Sequence, residues 1–145
     1  MPRPPIPLNA LLCLDLYATS RAVIKAYRPL LDALGLTYPQ YLVMVALWEA
    51  GPLGVKELSE RLSLDSGTLS PLLKRLEAMK LVTRTRDTHD ERSVTIALTE
   101  SGRALQEKSY AVSEGIACLF ALKPEDARSL QTTLREISQR MDAAG

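Results

Sequence analysis

The chain has little of what builds a metal or cofactor centre. It holds one histidine and two cysteines in 145 residues. His89 has no Cys/His cluster beside it and reads as a solvated loop residue, so neither a metal nor a cofactor is expected. Cys13 and Cys118 read as free thiols or redox groups rather than as a structural staple. No stretch is both apolar and long enough to span a bilayer, and the run from Tyr41 to Trp48 is far too short. The opening Met1-Pro-Arg-Pro-Pro-Ile-Pro7 is stiff, with no hydrophobic signal segment behind it. A cytoplasmic protein with no membrane partner is therefore expected. A surplus of one charge is missing too: 18 Lys and Arg face 17 Asp and Glu, for a net +1. Any contact with nucleic acid must then rest on a local basic patch.

What is present is a core's worth of apolar side chains and one highly patterned stretch, Val55 to Thr99. Val55, Leu58 and Leu62 share one face of a short helix. A tight turn at Ser63-Leu64-Asp65 follows, and Asp65 is a good N-cap for the next helix. There Leu69, Leu72, Leu73, Leu76 and Met79 recur at helical spacing and predict a buried face. Thr68, Ser70, Lys74 and Arg75 fall on the opposite face, after Ser66 at the start. Pro71 lies close enough to the helix start for the lost backbone bond to be tolerated. Leu81 to Arg86 and the alternating Ser93 to Leu98 then predict two strands of a hairpin, with Thr99 placed to cap another helix. Helix, turn, helix and hairpin make a winged helix-turn-helix, whose second helix can enter a DNA major groove. Lys74, Arg75, Lys80, Arg84, Arg86 and Arg92 supply the basic patch.

Helices flank this unit. Asn9 is expected to cap a helix running to about Leu34, kinked near Pro29 and stopped by Gly35. Its seam of Cys13, Leu16, Ser20, Val23, Tyr27, Leu30 and Leu34 steps by three and four, which suits packing against another helix. Thr37 and Gln40 form a capping box, and Leu36 with Tyr41 a staple, for a helix ending at Gly51-Pro52. A long helix runs from Thr99 to about Leu122. Pro124 opens the last one, with Glu125 and Asp126 at its positive end. Ala127, Leu130, Leu134, Ile137 and Met141 again step by three and four. The economical reading is a homodimer built on residues of about 9–34 and 99–143, with the winged unit at about 55–98. Packing within one chain is the alternative.

The wing loop reads Asp87-Thr-His-Asp90-Glu-Arg92, with Leu98-Thr99 beyond it. Asp90-x-Arg92 followed by Leu98-Thr99 resembles the wing of the MarR family, and with the helix order the resemblance spans essentially the whole chain. It implies one winged-helix domain over 1–145, mainly α with a small β-wing, that represses transcription as a dimer on double-stranded operator DNA. In the family the wing arginine enters the minor groove and the aspartate steadies it, roles that fall on Arg92 and Asp90. A solvated surface ion pair is the plainer reading of the two residues.

Cys13 lies in the first turns of its helix, where amide dipoles favour a thiolate, although among Leu11, Leu12, Leu14 and Leu16 it is equally a small core hydrophobe. Tyr27 is 14 residues further along the same stripe, roughly 21 Å away at ~1.5 Å per residue. Two antiparallel copies crossing at an interface would bring Cys13 of one chain to Tyr27 of the other, with Tyr38 in reach. Phenolic hydroxyls there can hydrogen-bond a thiolate or the leaving oxygen of a peroxide, or be ordinary interface tyrosines.

Leu12-Cys13-Leu14, Tyr27-Arg28-Pro29-Leu30-Leu31, Leu36-Thr37-Tyr38-Pro39-Gln40-Tyr41 and Ser66-Gly67-Thr68-Leu69 resemble the OhrR-like branch, which senses organic hydroperoxides. The resemblance implies that Cys13 is oxidised by an organic hydroperoxide and that Tyr27 and Tyr38 of the partner support it. It further implies that Cys118 closes an intersubunit disulfide, where the apolar neighbours Ala117, Leu119 and Phe120 leave a buried inert thiol as the alternative. Two rivals stand beside this. One is a MarR-type regulator released by a small phenolic ligand, with Cys13 idle. The other is a thiol peroxidase, against which the peroxiredoxin pattern Pro-x-x-x-Thr/Ser-x-x-Cys is absent: Ile6 and Ala10 stand at those positions.

Overall fold

Helix starts and stops follow local chemistry along most of the chain. The computed structural model describes residues 1–90 and 93–145. The elements run α1 (Leu12–Leu31), α2 (Tyr38–Ala50), β1 (Leu53–Gly54), α3 (Val55–Leu62), α4 (Ser66–Ala78), β2 (Val82–Arg86), β3 (Val94–Leu98), α5 (Glu100–Phe120) and α6 (Pro124–Ala144). Short 3-10 turns stand at Leu8–Ala10 and Asp32–Leu34.

The expected capping box opens α2. Gln40 N–H donates to Thr37 Oγ1 at 3.4 Å, and Thr37 N–H donates to Gln40 Oε1 at 3.0 Å. Leu36 and Tyr41, the proposed staple pair, are both buried. Gly35 ends the preceding stretch at φ 68°, in the left-handed region that glycine enters freely. Asp65 caps α4 by accepting the N–H of Thr68 at 2.7 Å, and Thr99 caps α5 by accepting the N–H of Gly102 at 3.0 Å.

Three local expectations are corrected. Asn9 caps nothing; it sits within the Leu8–Ala10 turn, and α1 starts at Leu12 behind Leu11, with no side-chain cap. The turn uses the polypeptide that a capped helix would have occupied. Helix α1 passes through Pro29 and ends at Leu31, tightening into 3-10 geometry as far as Leu34. Met79 does not join the buried face of α4. It is the C-cap residue and 41% exposed, because the chain turns away there through Lys80 at φ 61°.

The wing has a third strand. The sheet order is β1-β3-β2, antiparallel throughout, with Leu53 opposite Ile96 and Arg84 opposite Ile96 on the other side. Sequence periodicity cannot reveal a strand of two residues. Its effect is to fasten the wing to the end of α2. The core lies where α1, α2, α3, α4 and the sheet meet: Leu31, Val43, Met44, Leu47, Leu58, Leu69, Leu73, Leu76 and Ile96 are all sealed from solvent. The chain forms two compact units, Met1–Val112 and Ser113–Gly145.

Candidate functional site

Helix α4 presents a polar surface because its leucines fix its rotation. With Leu69, Leu73 and Leu76 buried, Ser66, Thr68, Lys74 and Arg75 are exposed and Ser70 is half-buried. Asp65 lies at the start of this surface, its carboxyl held below the usual carboxylate range by the Thr68 N–H. The helix therefore offers hydroxyls and two cations to a partner, with the Thr68 amide already tied to Asp65.

The wing continues that surface. Arg86 is exposed at the end of β2, opposite Val94. In the loop, the carbonyl of Asp90 accepts the N–H of Ser93 at 2.9 Å, and its carboxylate accepts the Ser93 hydroxyl at 3.3 Å. Arg92 lies outside the described residues. Arg84 departs from the expected patch. It faces α4, with its Nε 3.7 Å from Glu77 Oε2, close enough for an ion pair and too far for a hydrogen bond. Alternation along β2 puts Arg84 on the side of buried Val82, and this inward facing removes it from the open cationic face.

Cys13 is the second residue of α1 and is exposed, on a helix start whose Leu12, Leu14 and Leu16 are exposed as well. The core-hydrophobe reading does not describe it. Further along the seam, Val23, Tyr27 and Leu30 become half-buried and Leu34 buried as the helix enters the core. Tyr27 and Tyr38 do come together, with ring centroids 4.6 Å apart, and Tyr41 packs 5.8 Å from Tyr27. Burial, then the neighbouring Tyr38 and Tyr41, pushes the Tyr27 phenol up to about 12. Burial, then Tyr41, raises Tyr38 as well. Both hydroxyls therefore stay protonated as donors at neutral pH.

Cys118 is exposed on α5, so it is not a core thiol. Beside it in sequence, Ala117 lines an apolar groove with Ile116, Phe120, Leu122, Leu130 and Leu134. Among the described residues no cluster of His, Cys, Asp and Glu can hold a metal, and no single helix is long and apolar enough to cross a membrane.

Comparison with known proteins decides the family. A family model described as the transcriptional regulators SarA/Rot matches residues 25–108. The organic hydroperoxide resistance transcriptional regulator of Bacillus subtilis (strain 168) is 50% identical over 123 residues, covering 85% of this chain and 84% of the relative. The chain belongs to the MarR family of transcriptional regulators, in its OhrR-like branch. It is a regulator and not an enzyme, which removes the thiol-peroxidase rival. Two solved states of AbfR are similar to this OhrR-like chain. Reduced AbfR bound to DNA matches with a TM-score of 0.77 at 35% identity, over 92% of this chain and 94% of that one. Disulfide-formed AbfR matches at 0.65 and 38%, over 87% and 88%. The winged-helix fold is thereby shared with solved regulators.

Two contacts near the site escaped sequence reasoning. Glu77 carried no signal beyond its place three residues after Lys74, and Trp48 stood out only as the end of the apolar run from Tyr41. Its indole N–H donates to the Gly102 carbonyl across 54 residues, which no local pattern encodes.

Proposed function

We propose that this OhrR-like chain is a homodimeric, cytoplasmic repressor that holds operator DNA while Cys13 is reduced and releases it after reaction with an organic hydroperoxide. The observation that carries the reading is an exposed Cys13 in the first turn of α1, beside leucines that stay exposed among the described residues. A second copy packed on those leucines, and on the exposed Leu130, Leu134 and Met141 of α6, would cover apolar surface in the dimer. Helices α1, α5 and α6 are then the dimerisation elements, at about 9–34 and 99–143. DNA is met by residues 55–98: Ser66, Thr68, Ser70, Lys74 and Arg75 in the major groove, and Arg86, Asp90 and Arg92 at the wing. Recognition helices of a symmetric pair would enter successive major grooves about 34 Å apart. The DNA-bound relative supports this placement.

The Cys13 thiolate attacks the distal oxygen of the hydroperoxide and the O–O bond breaks. Cys13 becomes a sulfenic acid, and the alkoxide leaves and takes a proton to give the alcohol. The neutral phenols of Tyr27 and Tyr38, reaching Cys13 from the partner, are suited to donate to that leaving oxygen. The thiol of Cys118 from the partner then condenses with the sulfenic acid, forming a disulfide and releasing water. The leucines around Cys13 favour carbon-rich peroxides over hydrogen peroxide.

The experiment is a non-reducing gel with mass analysis after treatment with cumene hydroperoxide. Wild type is expected to run as a linked dimer joined between Cys13 and Cys118. Cys118→Ser is expected to stop at a sulfenic acid or a higher oxide on Cys13 without the link. An absent link in wild type with Cys13 oxidised would remove Cys118 from the mechanism, and an unmodified Cys13 would remove the mechanism itself.

A further inference from the structure

We propose that Trp48 is a positioning residue that couples the Tyr27–Tyr38 pair to the end of helix α4. The inference rests on the function proposed above, in which those tyrosines meet the peroxide at the Cys13 of the partner, and it adds that the reaction there displaces them. Four aromatic rings follow one another within Met1–Val112. Tyr38 lies against Tyr27 at 4.6 Å, Tyr27 against Tyr41 at 5.8 Å, and Tyr41 meets Trp48 edge-on at 6.4 Å. The series ends in a directed bond, the Trp48 Nε1–H donating to the Gly102 carbonyl at 2.9 Å. An indole has one donor and no acceptor, so this single bond fixes the ring's orientation.

Gly102 is a place that cannot yield. It is buried in the first turn of α5, and a Cβ there would lie 2.1 Å from the carbonyl oxygen of Leu81. Helix α5 is thus pressed onto the backbone that immediately follows α4. Thr99 ties the same corner twice: its N–H donates to Leu81 O at 3.0 Å and its hydroxyl donates to Lys80 O at 2.7 Å. A shift of the Trp48 ring therefore moves Gly102 or breaks the indole bond. Either event reaches Lys80 and Leu81, the corner from which α4 and β2 diverge. Close-packed junctions of this kind respond by switching between discrete arrangements rather than by gradual deformation.

Trp48 is the only tryptophan of the chain, so its emission reports on this junction directly. The test uses the full-length protein and an operator duplex selected from random DNA, with the protein reduced or treated with cumene hydroperoxide. In wild type, oxidation is expected to shift the emission maximum together with loss of DNA. Trp48→Phe keeps an aromatic ring and loses the donor. It is expected to bind the operator in the reduced state within twofold of wild type and to oxidise Cys13 at the wild-type rate. Its ratio of oxidised to reduced Kd is expected to fall at least fivefold below that of wild type. A purely structural role would instead lower reduced-state affinity and leave that ratio unchanged, and this result overturns the inference. So does unchanged emission in a wild-type protein that has released its DNA, an arm that needs no variant. A wild type that keeps its operator after Cys13 is oxidised defeats the proposed function, and the coupling falls with it.

Discussion

Side chains at the site act through protonation state and reach. The Tyr27 phenol holds its proton to about 12 against an ordinary 10, so the folded state binds that proton more tightly than the unfolded chain does. The resulting stability is fully present below pH 10 and is lost as pH rises toward 12. Urea midpoints measured between pH 9 and 12 are expected to fall across this window, and Tyr27→Phe is expected to flatten the fall. A wild-type midpoint independent of pH there would contradict the burial of this ring. On α4, Lys74→Ala and Arg75→Ala are each expected to weaken operator binding. Loss shared by all duplexes marks a phosphate contact, and loss confined to the operator marks base readout. Affinity unchanged in both variants would take this face off the DNA.

At the scale of elements, what was legible in the sequence was what is local. Thr37 with Gln40, Asp65 with Thr68 and Thr99 with Gly102 are caps whose partners lie three residues apart, and all three form. The leucine spacing of α3 and α4 fixed which faces are buried. Asn9 failed because a 3-10 turn competes with capping over the same few residues, a contest the sequence pattern does not rank. Strand β1 was hidden because two residues carry no period, and its pairing partner lies far along the chain, with Leu53 opposite Ile96. Arg84 counted as a free cation until the sheet register turned it toward Glu77. The most consequential hidden contact is the one at Gly102, where nothing but the packed structure shows the need for a missing side chain. Gly102→Ala is expected to destabilise the fold by about 1–3 kcal/mol, since the new methyl meets backbone that has no room to move. Thermal unfolding checks this, and an unchanged Tm would show that α5 does not bear on Leu81 so closely.

For the molecule as a whole, the helix seams foreshadowed part of the exposed apolar surface, Leu16 on α1 and Leu130, Leu134 and Met141 on α6, while Leu12 and Leu14 lie off the expected seam. Leu12, Leu14 and Leu16 on α1, and Leu130, Leu134 and Met141 on α6, stand open in a single chain. Such surfaces and the relatives' regulatory roles together favour a symmetric pair that grips DNA with two winged units. The intersubunit geometry was beyond the sequence because it depends on the crossing of two copies, which no spacing within one copy fixes. The two thiols mark where chemistry enters that pair, and the account stands or falls on the link between oxidation and DNA. The most direct measurement is an operator-binding titration of wild type and Cys13→Ser, each with and without cumene hydroperoxide. The account predicts that both bind alike when reduced, that hydroperoxide abolishes binding by wild type, and that Cys13→Ser keeps its DNA under the same treatment. Release of Cys13→Ser by hydroperoxide would contradict it, and would turn attention to a regulator whose interface answers to a small phenolic ligand instead.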